Sequence, residues 1–410
     1  MPSSFTARVV TSIAAIDAAA WDACANPPGR PFEEAEGERF NPFITHAFLY
    51  ALEASGSVGG RSGWAPAHLT VEDAGGRVVA AAPCYLKSHS QGEYVFDHAW
   101  ADAYERAGGD YYPKLQVAVP FTPVTGRRLL IAADAPEGAR DALIGALREL
   151  RKQTKTSSIH ATFPTVEDGE RLSKAGFLIR TGEQFHFFCE GYANFDDFLA
   201  ALASRKRKMI RRERRDALDN GIAIEALTGA SIRSEHWDAF FKFYMHTGSR
   251  KWGRPYLTRD FFDWIGKTLA DRVLLVMARR NGRYIAGAIN FIGDDALYGR
   301  NWGAIEDHPF LHFEVCYYQA IDFALSRGLR RIEAGAQGEH KLARGYRPTL
   351  TYSAHEFADA RLSRAIADYL GHEREAVERT IAQYEEYAPF RRGDGEQGAE
   401  REGEAFDAEV

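Results

Sequence analysis

The run Gly335-Ala336-Gln337-Gly338-Glu339-His340-Lys341-Leu342-Ala343-Arg344-Gly345-Tyr346 sets a carboxylate, an imidazole, an ammonium and a guanidinium among three glycines. Glycines let a backbone turn sharply and approach a ligand closely. Glu339 and His340 are candidate bases. Lys341, Arg344 and Gln337 are candidate contacts for a phosphate or a developing oxyanion. The competing reading is a surface turn with solvated charges. A third candidate base, Glu314, opens a predicted helix and shares a face with Tyr318, Ile321 and Leu325. Desolvation there would raise its pKa toward that of a useful base. The same residue also reads as a first-turn acid stabilising the helix dipole. Tyr298, Arg300 and Trp302 alternate along a predicted strand and so share one face, lining a cleft or packing a sheet core.

Other chemistries fit less well. His312, Glu314, Glu339 and His340 carry metal-ligand groups, but their spacing matches no metal motif, so no metal is expected. Cys316 falls among core-helix positions, and Ser353 has no nucleophile-elbow context.

Ser204–Asn220 is a predicted helix, with Ser204 as N-cap and Gly221 as C-cap. It carries Arg205, Lys206, Arg207, Lys208, Arg211, Arg212, Arg214 and Arg215. Like charges four apart, as in Arg207, Arg211 and Arg215, cost roughly 0.2–0.5 kcal/mol per pair. Something anionic must offset them. It is either neighbouring carboxylates such as Glu213 and Asp216 or a phosphate-bearing ligand: a coenzyme, a nucleotide sugar or a transfer RNA backbone.

The elements that must hold these groups come from a chain of 410 residues, too long for one compact core, so two domains are expected. Apolar residues make up 45% and charged residues 26%, as in soluble globular proteins. A net charge of −6 argues against nonspecific binding of DNA or a membrane surface. Cys24, Cys84, Cys189 and Cys316 form no CxxC pair, which fits a reducing compartment, and no apolar run is long enough to span a membrane. The cytoplasm is the expected location.

His68–Lys87 and Val273–Gly293 each read as strand, turn, strand, and Gly76 and Gly282 are 206 residues apart. A predicted helix and strand follow each hairpin: Asp141–Lys152 and Ser157–Phe163 in the first half, His312–Arg327 and Arg330–Ala334 in the second. The fold class is therefore α/β (α+β): two domains, each a mixed sheet flanked by helices. They occupy residues 1–180 and 181–390, with a disordered acidic tail over 391–410.

Several strings resemble the FemAB-like predicted N-acyltransferases of the GNAT-type superfamily. They are Glu93–Tyr104, Tyr111–Leu115, Pro120–Gly126, Gln184–His186, Tyr298–Gly303, Leu311–Tyr318 and the Gly335–Gly345 loop. The resemblance implies two tandem GNAT-like domains and transfer of an acyl or aminoacyl group to a small-molecule or peptidyl amine. A cell-wall precursor is one such acceptor. It makes Asp97, Trp100, Tyr104 and Lys114 candidates for holding the acceptor. The pyrophosphate-cradling Gln/Arg-x-x-Gly-x-Gly/Ala of acetyl-CoA enzymes is not found. Gly303-Ala304-Ile305-Glu306-Asp307-His308-Pro309 follows the strand instead. The co-substrate is thus acyl-CoA or aminoacyl-tRNA, with no tightly bound cofactor. A non-catalytic module that recognises a peptidoglycan fragment or a nucleotide-linked precursor is the alternative.

Overall fold

The computed structural model describes residues 4–28, 40–251, 255–335 and 338–391. Residues 392–410, most of the predicted tail, lie outside the described residues. Fifteen strands occur among the described residues: β1 (Thr6–Val10), β2 (Trp64–Pro66), β3 (His68–Glu72), β4 (Val78–Ala82), β5 (Cys84–Lys87), β6 (Lys114–Val117), β7 (Leu130–Ile131), β8 (Ser158–Thr162), β9 (Leu178–Phe188), β10 (Ile222–Thr228), β11 (Val273–Arg280), β12 (Arg283–Ile292), β13 (Ala296–Ala304), β14 (Arg331–Glu333) and β15 (Arg347–Phe357). They form a four-stranded sheet, β1-β3-β4-β7, and an eleven-stranded one, β10-β11-β12-β13-β14-β9-β15-β8-β6-β5-β2. Pro83 separates β4 from β5 and passes the chain from one sheet to the other. Proline cannot donate to a ladder, so a switch between sheets falls naturally there.

The two halves repeat one sequence of strand pairings. Inward from β10, the pairs β10-β11, β11-β12 and β12-β13 are antiparallel, β13-β14 is parallel and β14-β9 is antiparallel. Inward from β1, the pairs β1-β3, β3-β4 and β5-β6 are antiparallel, β6-β8 is parallel and β8-β15 is antiparallel. The internal repeat is therefore real at the level of topology. A cut near residue 180, however, does not divide the sheet. It falls inside β9, which pairs with β14 of the second half, while β15 from the second half lies between β9 and β8. Counted with the first half, where it follows β8 as β15 follows β14, β9 completes the second half and β15 completes the first.

Alternation on β11 shows how the layers form. Val273, Leu275 and Met277 enter one core with Trp237, Phe240, Phe261 and Phe262. Leu274, Val276 and Ala278 enter another with Phe198, Ile210, Val315 and Ile321. The period of two in side-chain direction puts helices on both faces. Asn281 and Gly282, both at positive φ, close the β11-β12 hairpin as the Asn-Gly pair predicts.

Two helix boundaries differ from expectation. The basic helix spans Ser204–Ala217, and Ala203 rather than Ser204 is its N-cap, with no side-chain cap. The helix after β13 is α-helical over Leu311–Phe313 and Gln319–Ser326, with a π turn over Glu314–Tyr318 between them. The last helix runs Ala360–Glu386, its start fixed by the Asp359 carboxylate accepting from Arg361 N and Leu362 N. Among the described residues no helix is long and apolar enough to cross a membrane.

β13 carries a bulge: Asn290 pairs with Gly299 but Ile289 with Asn301, so Arg300 is unmatched. Beyond it, helix Ser234–Lys251 packs so closely that a Cβ on Gly303 would sit 2.2 Å from the Phe243 carbonyl oxygen. Gly303→Ala should cost about 1–3 kcal/mol through this overpacking, read as a lower denaturant midpoint. An unchanged midpoint would refute the close approach.

Candidate active site

One cleft of about 860 Å³ runs across both halves. Its floor is the exchanged strand pair: Arg180, Thr181, Gly182 and Glu183 of β9, with Thr351, Tyr352 and Ser353 of β15. The second half adds Arg300, Trp302, His312, Tyr317, His340 and Lys341. The first half adds Ser90–Gly92, Tyr94–Phe96 and His98, and the last helix adds Glu373, Ala376, Val377 and Thr380.

The Gly-rich loop delivers two of its expected groups. Glu339–Arg344 forms a single 3-10 helix. His340 folds back over Gly338, which sits at φ 103° and where a Cβ would lie 2.3 Å from the imidazole Cε1, so a larger residue would strain the backbone and displace the ring. His340 Nε2 is 2.9 Å from the Tyr317 hydroxyl. Lys341 Nζ donates to the Ala334 and Gly335 carbonyls at 2.6 and 3.1 Å. Burial pushes its pKa down to about 8, with Cys316 pulling the other way. Gln337 and the Glu339 side chain lie outside the described residues.

Arg344 is not in the cleft. Its Nη2 donates to Glu213 of the basic helix at 2.7 Å and its Nη1 to the His340 carbonyl at 2.7 Å. It fixes the loop to the helix behind it. Glu314 is likewise not beside Lys341. It is fully buried and accepts from Arg214 Nη2 at 3.0 Å, Arg214 Nε at 3.2 Å and Gln319 Nε2 at 2.7 Å. Burial raises its pKa and Arg214 draws it back. The π turn explains the division. Its extra residue per turn sends Glu314 and Tyr318 toward the basic helix and Tyr317 toward His340. The expected meeting of Glu314 with Lys341 in one cleft fails for this reason.

The β13 bulge corrects another expectation. Tyr298 packs with Phe43 in one core, while Trp302 packs on the opposite face and lines the cleft beside His312. Arg300 lines the cleft and donates to the Phe121 carbonyl at 2.6 Å.

The first-half candidates are structural supports. Lys114 Nζ, fully buried, binds Asp97 at 2.5 Å, Glu93 at 2.7 Å and Ser90 at 2.8 Å. Burial alone would raise the Asp97 carboxyl; Lys114 overcomes it and holds the carboxyl well below the usual range. This nest anchors the loop whose residues Ser90–Gly92 face the cleft. Trp100 packs on His355 and Phe357, with the Arg180 guanidinium 4.9 Å from its ring centre. The Tyr104 hydroxyl reaches Asp359 at 3.4 Å, at the cap of the last helix.

The basic helix does not face the cleft either. Its inner side carries Ile210, Glu213 and Ala217. Arg211 and Arg215 are exposed and Arg207 half-buried. Arg211 lies 3.7 Å from Asp196, and Arg215 pairs with Asp216 at 2.7 Å.

Sequence reasoning missed Arg180 and Glu373, which clamp the last helix to β9 through two hydrogen bonds of 2.7 and 2.6 Å. Nothing local to either residue signals a partner 193 positions away. It also passed over Ser158-x-His160 and Ser353-x-His355, two copies of one pattern on neighbouring strands.

Two measurements check these assignments. Acylation of Lys341 by a small amine-reactive reagent, followed by mass spectrometry, should rise with pH through a midpoint near 8 as the ammonium loses its proton. Exposed lysines should titrate near ~10.4, and a common midpoint would contradict the desolvated site. Glu314→Gln should lower stability by about 1–3 kcal/mol, since Arg214 loses a charged partner, and leave the Lys341 midpoint where it was. A displaced midpoint would show that Glu314 does belong to the cleft.

A FemAB-like family model, described as peptidoglycan biosynthesis/recognition, matches residues 12–392. Among solved structures, FemX shares 13% identity at a TM-score of 0.53, over 86% of this chain and 98% of its own. A conserved protein of unknown function from Bacteroides thetaiotaomicron shares 10% at 0.50, over 85% and 99%. A tandem GNAT protein from the clavulanic acid biosynthesis pathway shares 12% at 0.46, over 87% and 99%. No curated protein matches. Identities this low speak to fold alone, and the fold is shared with FemX and the Bacteroides thetaiotaomicron protein over almost their whole lengths. Since the family model spans both halves and the exchanged strands between them, the chain belongs to the FemAB-like family.

Proposed function

We propose that the protein is an N-acyltransferase that moves an acyl or aminoacyl group onto an amine acceptor within the cleft. The observation that carries this reading is the pair His340 and Lys341 at one end of a cleft large enough for two substrates. Acyl transfer to an amine needs a proton acceptor for the nucleophile and a donor for the developing oxyanion. The His340 imidazole, with Nε2 2.9 Å from the Tyr317 hydroxyl, is the group assigned to take the amine proton. Lys341 commits two of its three ammonium protons to backbone carbonyls, and the third is available to the oxyanion. Arg300 and Trp302 also line the cleft, with Trp302 linked to His340 through the His312 ring.

Family membership supports an acceptor related to peptidoglycan. The exposed Arg205, Lys208, Arg211, Arg212 and Arg215 suit a phosphate-rich donor, favouring aminoacyl-tRNA over acyl-CoA. The test is turnover of each donor with an amine acceptor, followed as donor deacylation. His340→Ala should lower kcat by about 10²–10⁴-fold, and Lys341→Met by about 10²-fold or more, with melting curves close to wild type. Wild-type turnover in both variants would refute the assignment.

A further inference from the structure

At the other end of the cleft, Ser353 begins a chain of buried hydrogen bonds. Its Oγ is 2.8 Å from His355 Nε2. His355 Nδ1 is 2.6 Å from His160 Nδ1, and His160 Nε2 is 2.7 Å from Ser158 Oγ. Ser158 Oγ is 3.0 Å from Ser157 Oγ, and the Ser157 hydroxyl donates to the Tyr111 carbonyl. Both imidazoles are fully enclosed, between Trp100, Tyr111 and Phe357.

The carbonyl at the inner end fixes every proton. A carbonyl only accepts, so Ser157 spends its one proton on Tyr111. Ser157 must then accept from Ser158, which must accept from His160 Nε2–H. Neutral His160 therefore has a bare Nδ1, and it accepts from His355 Nδ1–H. His355 Nε2 is bare in turn, and the Ser353 hydroxyl points inward to it. Burial pushes the His355 pKa well below its usual value and His160 down to about 3, so neither ring takes up a proton to reverse the order. Bonds running one way along a chain polarise one another. Ser353 thus turns its oxygen lone pairs, not its proton, toward the cleft it lines.

We propose that Ser353 is a hydrogen-bond acceptor of fixed polarity, a recognition point for an N–H or O–H donor of the acceptor substrate at the first-half end of the cleft. The proposal rests on the cleft being the substrate site. It assigns Ser353 a binding role and not a nucleophilic one, because a ring that stays neutral is a poor store for the hydroxyl proton. Ligands with a donor at this point are favoured, and isosteres lacking it leave a polarised oxygen unpaired.

The experiment uses the full chain with 15N-labelled histidine and two amides of similar shape. N-methylacetamide carries an N–H, and N,N-dimethylacetamide does not. The free protein should show His355 protonated at Nδ1 and His160 at Nε2 at neutral pH. N-methylacetamide should shift the His355 Nε2 signal, N,N-dimethylacetamide should not, and Ser353→Ala should abolish the response while the melting curve confirms a folded chain. The opposite tautomers, an equal response to both amides, or no response to either would overturn the proposal. The tautomer readout needs no turnover, so a failure of the acyl-transfer reading remains distinguishable from a failure here.

Discussion

Nine residue pairs between β9 and β15, from Arg347 opposite His186 to His355 opposite Leu178, bind the two halves. Without β15 the first half would leave β8 as an open edge, and without β9 the second would leave β14 open. Open edges are liabilities that folds cover or pair. The exchange removes both at once and makes the halves interdependent. It also builds the cleft, since the same two strands supply its floor. A site that spans both halves is a consequence of where the chain had to cross.

The charged residues divide by what they hold. Lys114 with Asp97 and Glu93 fixes the loop at one rim. Arg344 with Glu213, and Arg214 with Glu314, fix the π turn and the Gly-rich loop at the other. These pairs sit in low dielectric, where breaking one strands its partner. They position the cleft without entering it. Among the described residues, the charged and imidazole groups lining the cleft are Lys341, His340, His312, Arg300, His98, Glu183 and the Arg180–Glu373 clamp. Unusual ionic density in a sequence therefore marked the neighbourhood of the site more faithfully than the site itself.

Local signals carried the elements well. The Asn281-Gly282 turn, the amphipathic run at Ala139–Thr154 and the strand of alternating character at β11 all follow from short-range chemistry. Tandem mixed sheets followed from the repeated hairpin. What escaped was set by long-range geometry. The bulge at Arg300 reversed the face of Tyr298 relative to Trp302, and a one-residue slip does this to any strand. The π turn redirected Glu314, and no pattern with a period of 3.6 can show that. The strand exchange escaped because β15 reads as an ordinary strand, and its partners depend on chain crossing rather than on composition.

The central claim is that β9 and β15 form one structural unit shared by both halves. Native-state hydrogen exchange tests it most directly, because exchange under mild denaturant resolves which segments open together. Peptides covering 178–188 and 347–357 should be among the slowest to exchange and should lose protection at the same denaturant concentration. β8 and β14 should follow that same opening. If 347–357 exchanged early while β8, β6 and β9 stayed protected as a separate unit, the halves would be independent domains. The shared strand pair would then not be what holds the cleft.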